Sequence, residues 1–91
     1  MSFITIFTPT YNRGYTLENL YKSLLKQNSE IEFEWVIIDD GSTDNTEEIV
    51  KLWKEKNNKF EIIYKKQANQ GKHVAINNGL EIAKGKLFFI V

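Results

Sequence analysis

The organisation of this chain is set by the segment VIIDDGSTDNT, residues 36–46. Three apolar residues lead into two adjacent carboxylates, and a glycine and several helix-capping residues follow at once. A buried parallel strand that ends in a sharp turn and then a helix has this pattern. Because ligands of open α/β sheets bind at the carboxyl ends of strands, we expect Asp39 and Asp40 to lie at a site. Two desolvated anions there need a compensating partner, such as a ligand donor or a cation.

The composition narrows the class of protein. The 91 residues suit one small domain or one part of a larger protein. The 12 basic and 12 acidic side chains balance, so net charge gives no argument for binding to nucleic acid or to an acidic membrane surface. Without cysteine the chain has no disulfide or thiolate chemistry, and its single histidine excludes a histidine-rich metal site. No stretch approaches the ~20 apolar residues that span a bilayer.

Strand and helix patterns alternate along the whole chain. The predicted strands are 3–8, 34–39, 60–64 and 87–91, and the predicted helices begin at Thr16, near Asp44 and at His73, with the last ending at Ala83. The order is therefore β-α-β-α-β-α-β. Strands that alternate with helices pair in parallel through right-handed crossovers, so the predicted fold class is α/β with a mainly parallel sheet.

The loops after the first three strands are predicted to meet at one edge of that sheet. They offer one aromatic ring, two cations and the carboxylate pair: Tyr11, Arg13, Lys72, Asp39 and Asp40. A nucleotide fits these groups. Tyr11 can stack on a base, and Asp40 can accept a hydrogen bond from a base N–H or a ribose hydroxyl. Arg13 or Lys72 can face a diphosphate.

Each of these residues also has a structural interpretation. Tyr11 can be a packing or loop residue, Asp39 can stabilise a turn, and Arg13 and Lys72 can be solvated charges. Asn77 and Asn78 fall in the middle of a predicted helix, where asparagine is disfavoured. A bond from one of them to the neighbouring loop, rather than to a ligand, is one interpretation.

Four blocks of the sequence together resemble the family 2 glycosyltransferases. They are TPTYNR at 8–13, VIIDDGSTDNT at 36–46, NQGK at 69–72, and AINNG at 75–79 with AKG at 83–85. The resemblance implies a GT-A fold, a Rossmann-like three-layer α/β/α arrangement whose nucleotide-binding half precedes an acceptor-binding half. It also implies transfer of a sugar, with inversion, from a nucleotide donor that is often UDP-linked. The acceptor would be a hydroxyl of a glycan or a lipid-linked sugar.

The same resemblance implies roles for individual residues. Pro9 and Tyr11 would line the base pocket, and Asp40 would read the base. Asp39 would support the loop or the ribose, and Lys72 would lie near the donor. Many members of the family carry arginine where this chain has Ile76, so the basic contact at that position is missing here.

In the family, the strand that matches residues 87–91 runs into an Asp-x-Asp motif. That motif holds Mn²⁺ or Mg²⁺ on the diphosphate, and the general base is a later carboxylate. We expect neither in this chain. Residues 1–91 are therefore interpreted as the N-terminal nucleotide-sugar-binding part of a glycosyltransferase domain, inactive alone, with no catalytic or metal-binding residue of its own. Asp39 and Asp40 belong to an earlier strand than the one that leads into this motif, and are not assigned to the metal.

Three further expectations accompany this interpretation. The protein is expected to be cytoplasmic or peripheral at the inner face of the membrane. The apolar edge of strand four predicts self-association of the isolated chain. An alternative function is a non-catalytic nucleotide-binding or protein-interaction domain. A Mg²⁺ pocket of the phosphoacceptor signalling type is disfavoured, because no aspartate follows strand three and no lysine follows a further strand.

Overall fold

The computed structural model describes residues 3–26, 32–56 and 59–89, in which strands and helices alternate. The elements are β1 (Ile4–Thr10), α1 (Gly14–Leu25), β2 (Phe33–Asp39), α2 (Thr46–Lys56), β3 (Glu61–Lys66), α3 (Lys72–Ile82) and β4 (Lys86–Phe89). This is the predicted β-α-β-α-β-α-β order. Among the described residues, no helix has the length and apolar character required to cross a membrane.

The strands form one sheet in the order β3-β2-β1-β4, and every neighbouring pair is parallel. The chain moves outward from β1 through β2 to β3, and then returns to the other side of β1 to form β4. The direction of winding therefore reverses beside β1. In open α/β sheets such a reversal opens a crevice at the carboxyl ends of the strands.

β2 is one of the two inner strands of the sheet, and its side chains are buried on both faces. Trp35 and Ile37 belong to the core shared with α1 and α2, while Val36 and Ile38 belong to the core shared with α3. All four are 0% exposed. Helices on both faces explain why this strand is a continuous apolar run rather than an alternating one. The predicted three-layer α/β/α architecture is confirmed.

Aromatic rings join α1, α2 and β2 on one face of the sheet. Tyr21 stacks on Trp53 with ring centroids 4.4 Å apart, and Trp53 stacks on Trp35 at 5.9 Å. The indole N–H of Trp35 donates to the hydroxyl of Thr8 at 3.1 Å. Both tryptophans are thus core residues, and the one polar atom of the central indole is satisfied.

On the opposite face, α3 lies close to the sheet because of one glycine. A Cβ atom at Gly79 would stand only 2.3 Å from Cε1 of Phe7, whose side chain is fully buried. Any larger side chain would push the helix away from β1. The close approach brings the first turn of α3 to the carboxyl ends of β1 and β2.

The first strand is longer than predicted, because Pro9 does not end it. β1 continues to Thr10, whose carbonyl accepts the N–H of Asp40 at 2.8 Å on the β2 side. Successive residues of a strand bond to alternate neighbours, so the missing N–H of Pro9 faces the other side. There the described pairing with β4 ends at Phe7. Proline at this position removes no ladder hydrogen bond.

The first helix begins at Gly14, two residues before the predicted Thr16, because a distant side chain caps it. One carboxylate oxygen of Asp44 accepts the N–H of Gly14 at 3.4 Å. The other oxygen accepts the N–H of Thr46 at 3.0 Å, at the start of α2. A single aspartate therefore supports two helix N-termini, where a negative charge is also favoured by the helix dipole.

The other boundaries differ by one or two residues. β2 begins at Phe33, one residue early, β3 starts after Phe60 and extends past Tyr64 to Lys66, and α3 is displaced by one residue to Lys72–Ile82. The predicted stop of α2 at Asn57–Asn58 and the last two residues of strand four, 90 and 91, lie outside the described residues. β4 is an edge of the sheet, and self-association through it stays a prediction.

At the amino-terminal end of the strands, a buried carboxylate holds three segments together. Glu34 is 0% exposed, and its Oε2 accepts the hydroxyl of Thr5 at 2.6 Å and the N–H of Lys84 at 2.8 Å. The Thr5 hydroxyl in turn accepts the N–H of Gly85 at 2.9 Å. Within the described residues, Oε1 of Glu34 has no hydrogen-bond partner. The turn between α3 and β4 is thus fixed to β1 and β2.

We predict that Glu34→Leu lowers the free energy of unfolding by about 3 kcal/mol, because the Thr5 hydroxyl and the Lys84 N–H lose their acceptor inside the core. Glu34→Gln is the matched control. Its amide oxygen can accept both bonds, so it should lose less than half as much. Urea unfolding followed by tryptophan fluorescence measures both variants. Equal losses for the two would contradict the assigned role of the carboxylate oxygen.

Candidate functional site

A cleft of about 300 Å³ opens at the carboxyl ends of β1 and β2. Its lining residues are Pro9, Thr10, Tyr11, Arg13, Thr16, Asp40 and Ala75. The cleft brings together four of the predicted site residues: Pro9, Tyr11, Arg13 and Asp40. A smaller and more apolar cavity of about 90 Å³ continues beneath α1, lined in part by Leu17 and Leu20.

The two other predicted site residues are placed differently. Asp39 is fully buried and does not line the cleft. Lys72 is the first residue of α3, and its side chain lies outside the described part of the structure. His73 is exposed at the start of the same helix. The three cleft residues that were not predicted as site residues are Thr10, at the end of β1, and Thr16 and Ala75, on the first turns of α1 and α3.

Asp40 is a cleft carboxylate that also holds the loop after β3. Its Oδ1 accepts the side-chain amide of Gln67 at 2.9 Å, the N–H of Gln70 at 2.8 Å and the N–H of Gly71 at 3.3 Å. Its Oδ2 accepts only the Gly71 N–H, at 3.1 Å, among the described donors. Oδ2 therefore retains more acceptor capacity than Oδ1, since a carboxylate oxygen can take more than one hydrogen bond.

These donors also set the ionisation of Asp40. The hydrogen bond from Gln67, followed by the one from the Gln70 N–H, holds the pKa of the carboxyl below its ordinary value. Hydrogen bonds to the charged form favour that form. Asp40 is accordingly an anion at neutral pH, available to accept a hydrogen bond from a ligand but not to donate one.

Asp39 is buried and stabilises the turn that follows β2 by hydrogen bonds. Its Oδ1 accepts the N–H of Ser42 at 2.9 Å and also the Ser42 hydroxyl, and its Oδ2 accepts the hydroxyl of Tyr64 from β3. Burial, and secondly the hydrogen bond to Asp39, raises the pKa of Tyr64. The tyrosine therefore remains a proton donor to this carboxylate. The partners of this buried carboxyl group are protein groups rather than a ligand or a cation.

Asn12 connects the loop after β1 to the loop after β2, a role that the sequence did not reveal. Its backbone N–H donates to the Ser42 hydroxyl at 2.8 Å. Its side-chain oxygen accepts the N–H of Thr43 at 2.7 Å and that of Asp44 at 3.2 Å. The backbone of Asn12 is left-handed, with φ of 50°. Asparagine tolerates this conformation better than most residues, which is the only signal the sequence offers.

Gly41 allows the loops after β2 and β3 to touch. Its φ is 80°, and a Cβ atom there would stand 3.1 Å from the backbone nitrogen of Asn69. A larger residue at position 41 would be strained, both by the left-handed backbone and by the close approach to Asn69. The three loops around the cleft are thus connected to one another before any ligand arrives.

No metal centre is formed by these carboxylates. Across residues 3–26, 32–56 and 59–89, no group of three or more His, Asp or Glu side chains is placed to hold a metal ion. Asp39 already accepts three hydrogen bonds from protein groups, and Asp40 accepts N–H groups on both oxygens. Both carboxyl groups are thus hydrogen-bonded to protein donors, which suits them to holding loops in place rather than to binding a metal ion.

The depressed pKa of Asp40 gives a prediction about acid stability. The folded pKa lies below the unfolded value of about 3.9, so the stabilisation is complete above about pH 4 and disappears as the pH falls through the folded pKa. A ¹³C NMR titration of the Asp40 carboxyl should show this low pKa. In Asp40→Asn, the N–H groups of Gln70 and Gly71 should exchange with solvent faster at pH 7 than in the unchanged chain. In this variant their protection from exchange should stay constant as the pH falls from about 4 through the folded pKa of the original carboxyl. An ordinary pKa for Asp40 would contradict the hydrogen-bond network.

Comparison with known proteins places the chain in a family. The model of the family described as "Glycosyl transferase family 2" matches residues 5–91. The Escherichia coli K12 protein named "Uncharacterized glycosyltransferase YibD" is 39% identical over 83 residues, which are 91% of this chain and 23% of that protein.

Two solved structures have the same fold. S. aureus TarS 1-349 in complex with UDP-GlcNAc is 32% identical with a TM-score of 0.81, over 99% of this chain and 26% of that one. The mannosyltransferase PcManGT from Pyrobaculum calidifontis, in complex with GDP-Man and Mn²⁺, is 28% identical with a TM-score of 0.80, over 90% of this chain and 24% of that one. The chain thus spans about a quarter of the length of these relatives. With the family model matching nearly every residue, this chain belongs to glycosyl transferase family 2.

Proposed function

We propose that the cleft beside β1 binds the nucleotide of a sugar donor. The observation that carries the proposal is the convergence of an aromatic ring, a cation and an ionised carboxylate on one cleft: Tyr11, Arg13 and Asp40. A nucleotide presents a π-face, phosphate oxygens and base N–H groups, which these three side chains complement in turn. Tyr11 is 45% exposed, so its ring is accessible for stacking.

The carboxylate favours bases that present a ring N–H. Uracil and guanine both do so, whereas cytosine presents a bare ring nitrogen at the corresponding position. Asp40 is an acceptor only, and Oδ2 retains capacity for a further hydrogen bond. The UDP and GDP groups bound by the two related structures agree with this preference. We assign Pro9 to the floor of the base pocket, Asp39 to support of the loop beneath it, and Lys72 to the donor side.

For the whole protein we propose sugar transfer from a nucleotide-sugar donor, with inversion, to a hydroxyl of a glycan or lipid-linked acceptor. Membership of the family supports the transfer, and the relatives bound to UDP-GlcNAc and GDP-Man support the class of donor. Residues 1–91 would supply the nucleotide-sugar-binding part, without activity of their own. A cytoplasmic location, or one at the inner face of the membrane, belongs to the same proposal.

We propose a divalent cation only for the whole protein, and not for residues 1–91. The related mannosyltransferase structure contains Mn²⁺. Within the described ranges 3–26, 32–56 and 59–89, the acidic side chains do not form a ligand set for such an ion. We therefore assign Mn²⁺ or Mg²⁺ to no residue of this chain and derive no step through it.

Titration of the ¹⁵N-labelled chain with UDP, GDP and CDP tests the nucleotide site. We expect NMR shift changes at Tyr11, Arg13, Asp40 and Lys72 with UDP or GDP. CDP, which differs from UDP only at the base edge, should bind about tenfold more weakly, because it loses one hydrogen bond to a charged acceptor. Equal binding of UDP and CDP would overturn the role of Asp40. No shifts with UDP or GDP would favour the interaction-domain alternative.

We predict that Tyr11→Ala weakens binding of the better nucleotide by about tenfold, within the range expected for loss of one base–aromatic stack. Tyr11→Phe keeps the ring and should bind within about twofold of the unchanged protein. Because Tyr11 is 45% exposed and belongs to neither core cluster, neither variant should lower the unfolding midpoint appreciably. Isothermal titration calorimetry measures the nucleotide affinity of both variants. Equal weakening in the two variants would show that the hydroxyl, and not the ring, makes the contact.

A further inference from the structure

Three side chains form a hydrogen-bonded relay from the middle of α3 to the cleft. The amide Nδ2 of Asn78 donates to Oε1 of Gln67 at 2.6 Å. The Nε2 of Gln67 donates to Oδ1 of Asp40 at 2.9 Å. All three residues are half-buried, so the bonds are partly shielded from water.

The direction of this relay is determined by its last member. A carboxylate can only accept, so Gln67 must turn its NH₂ group toward Asp40. The carbonyl oxygen of Gln67 then faces Asn78, and the group at position 78 must be a donor. An acceptor at position 78 would attract the NH₂ group of Gln67 instead and would present its carbonyl oxygen to the Asp40 carboxylate.

We propose that Asn78 is a positioning residue for the cleft, which fixes the amide of Gln67 so that Asp40 is held through Oδ1 and offers Oδ2 to the ligand. The division of bonds on Asp40 supports this assignment. Three described donors converge on Oδ1, whereas one reaches Oδ2. The inference rests on the proposed function, because the ligand of Oδ2 is taken to be the nucleotide base.

The location of Asn78 in the interior of α3 is a second observation that supports the relay. Asparagine in the interior of a helix is less favourable than alanine, and α3 contains two in succession. Asn77 is exposed, whereas Asn78 faces the loop after β3 and bonds to it. The relay accounts for an amide at position 78, and the neighbouring asparagine provides a matched control.

Asn78→Asp tests the relay, because it changes a donor into an acceptor with almost no change in shape. We expect UDP to bind about tenfold more weakly and the pKa of Asp40 to rise. Asn77→Asp adds the same charge one residue away and should change UDP binding less than about twofold. Asn78→Ala removes the donor without adding charge and is favourable for a helix. It should weaken UDP binding by about threefold and shift the side-chain NH₂ signals of Gln67.

A double-mutant cycle separates the relay from a direct charge effect. In a Gln67→Met background, Asn78→Asp should change UDP binding by less than about twofold, because no amide remains to be turned. The same loss with and without Gln67 would overturn the proposal, and so would the absence of any loss in the unchanged background. If the unchanged chain does not bind UDP, the proposed function fails. The relay can still be tested by titrating Asp40 in the unchanged chain, in Asn78→Asp, in Gln67→Met and in the double variant. The proposal predicts that Asn78→Asp raises the pKa of Asp40 when Gln67 is present and not when it is replaced by methionine.

Discussion

The alternation of side chains at the end of β2 is the constraint from which the site follows. Asp39 and Asp40 are neighbours in sequence, so the strand directs them to opposite faces of the sheet. On one face, Asp39 takes the donors of Ser42 and Tyr64. On the other face, Asp40 takes those of the loop that begins at Gln67. Two anions that would repel each other in one pocket instead each organise a different loop.

This separation changes what the carboxylate pair means for binding. From the sequence, two desolvated anions at a strand end suggested that a ligand or a cation was needed to compensate them. In the structure, hydroxyl and N–H groups of the protein supply that compensation. What remains for a ligand is one oxygen of Asp40 together with Tyr11 and Arg13. A cleft built this way is largely preformed, so little ordering of the loops is required when a ligand binds.

The sequence was sufficient for the order of elements, the parallel sheet and the meeting of Pro9, Tyr11, Arg13 and Asp40 at one cleft. Apolar periodicity carries that information, because burial is non-directional and depends mainly on which face a residue occupies. The helix starts were less predictable. α1 begins at Gly14 because of a carboxylate 30 residues away, at Asp44, and no local pattern contains that contact.

The roles of individual polar groups were the least accessible, and the reason is geometric. A hydrogen bond depends on the distance and direction of one particular partner, which a pattern of residue types does not encode. Glu34 bonds to the N–H of Lys84, 50 residues away. For Asn77 and Asn78 the sequence suggested a bond to the neighbouring loop, but not that Asn78 makes it or that its partner is Gln67, 11 residues away. Strand and helix periodicity therefore locates a carboxylate at the end of β2, but only the folded loops determine how the protein donors are divided between its two oxygens. In the relay proposed above, two residues that are not among the lining of the cleft, Gln67 and Asn78, orient the hydrogen bonds of Asp40, which does line it.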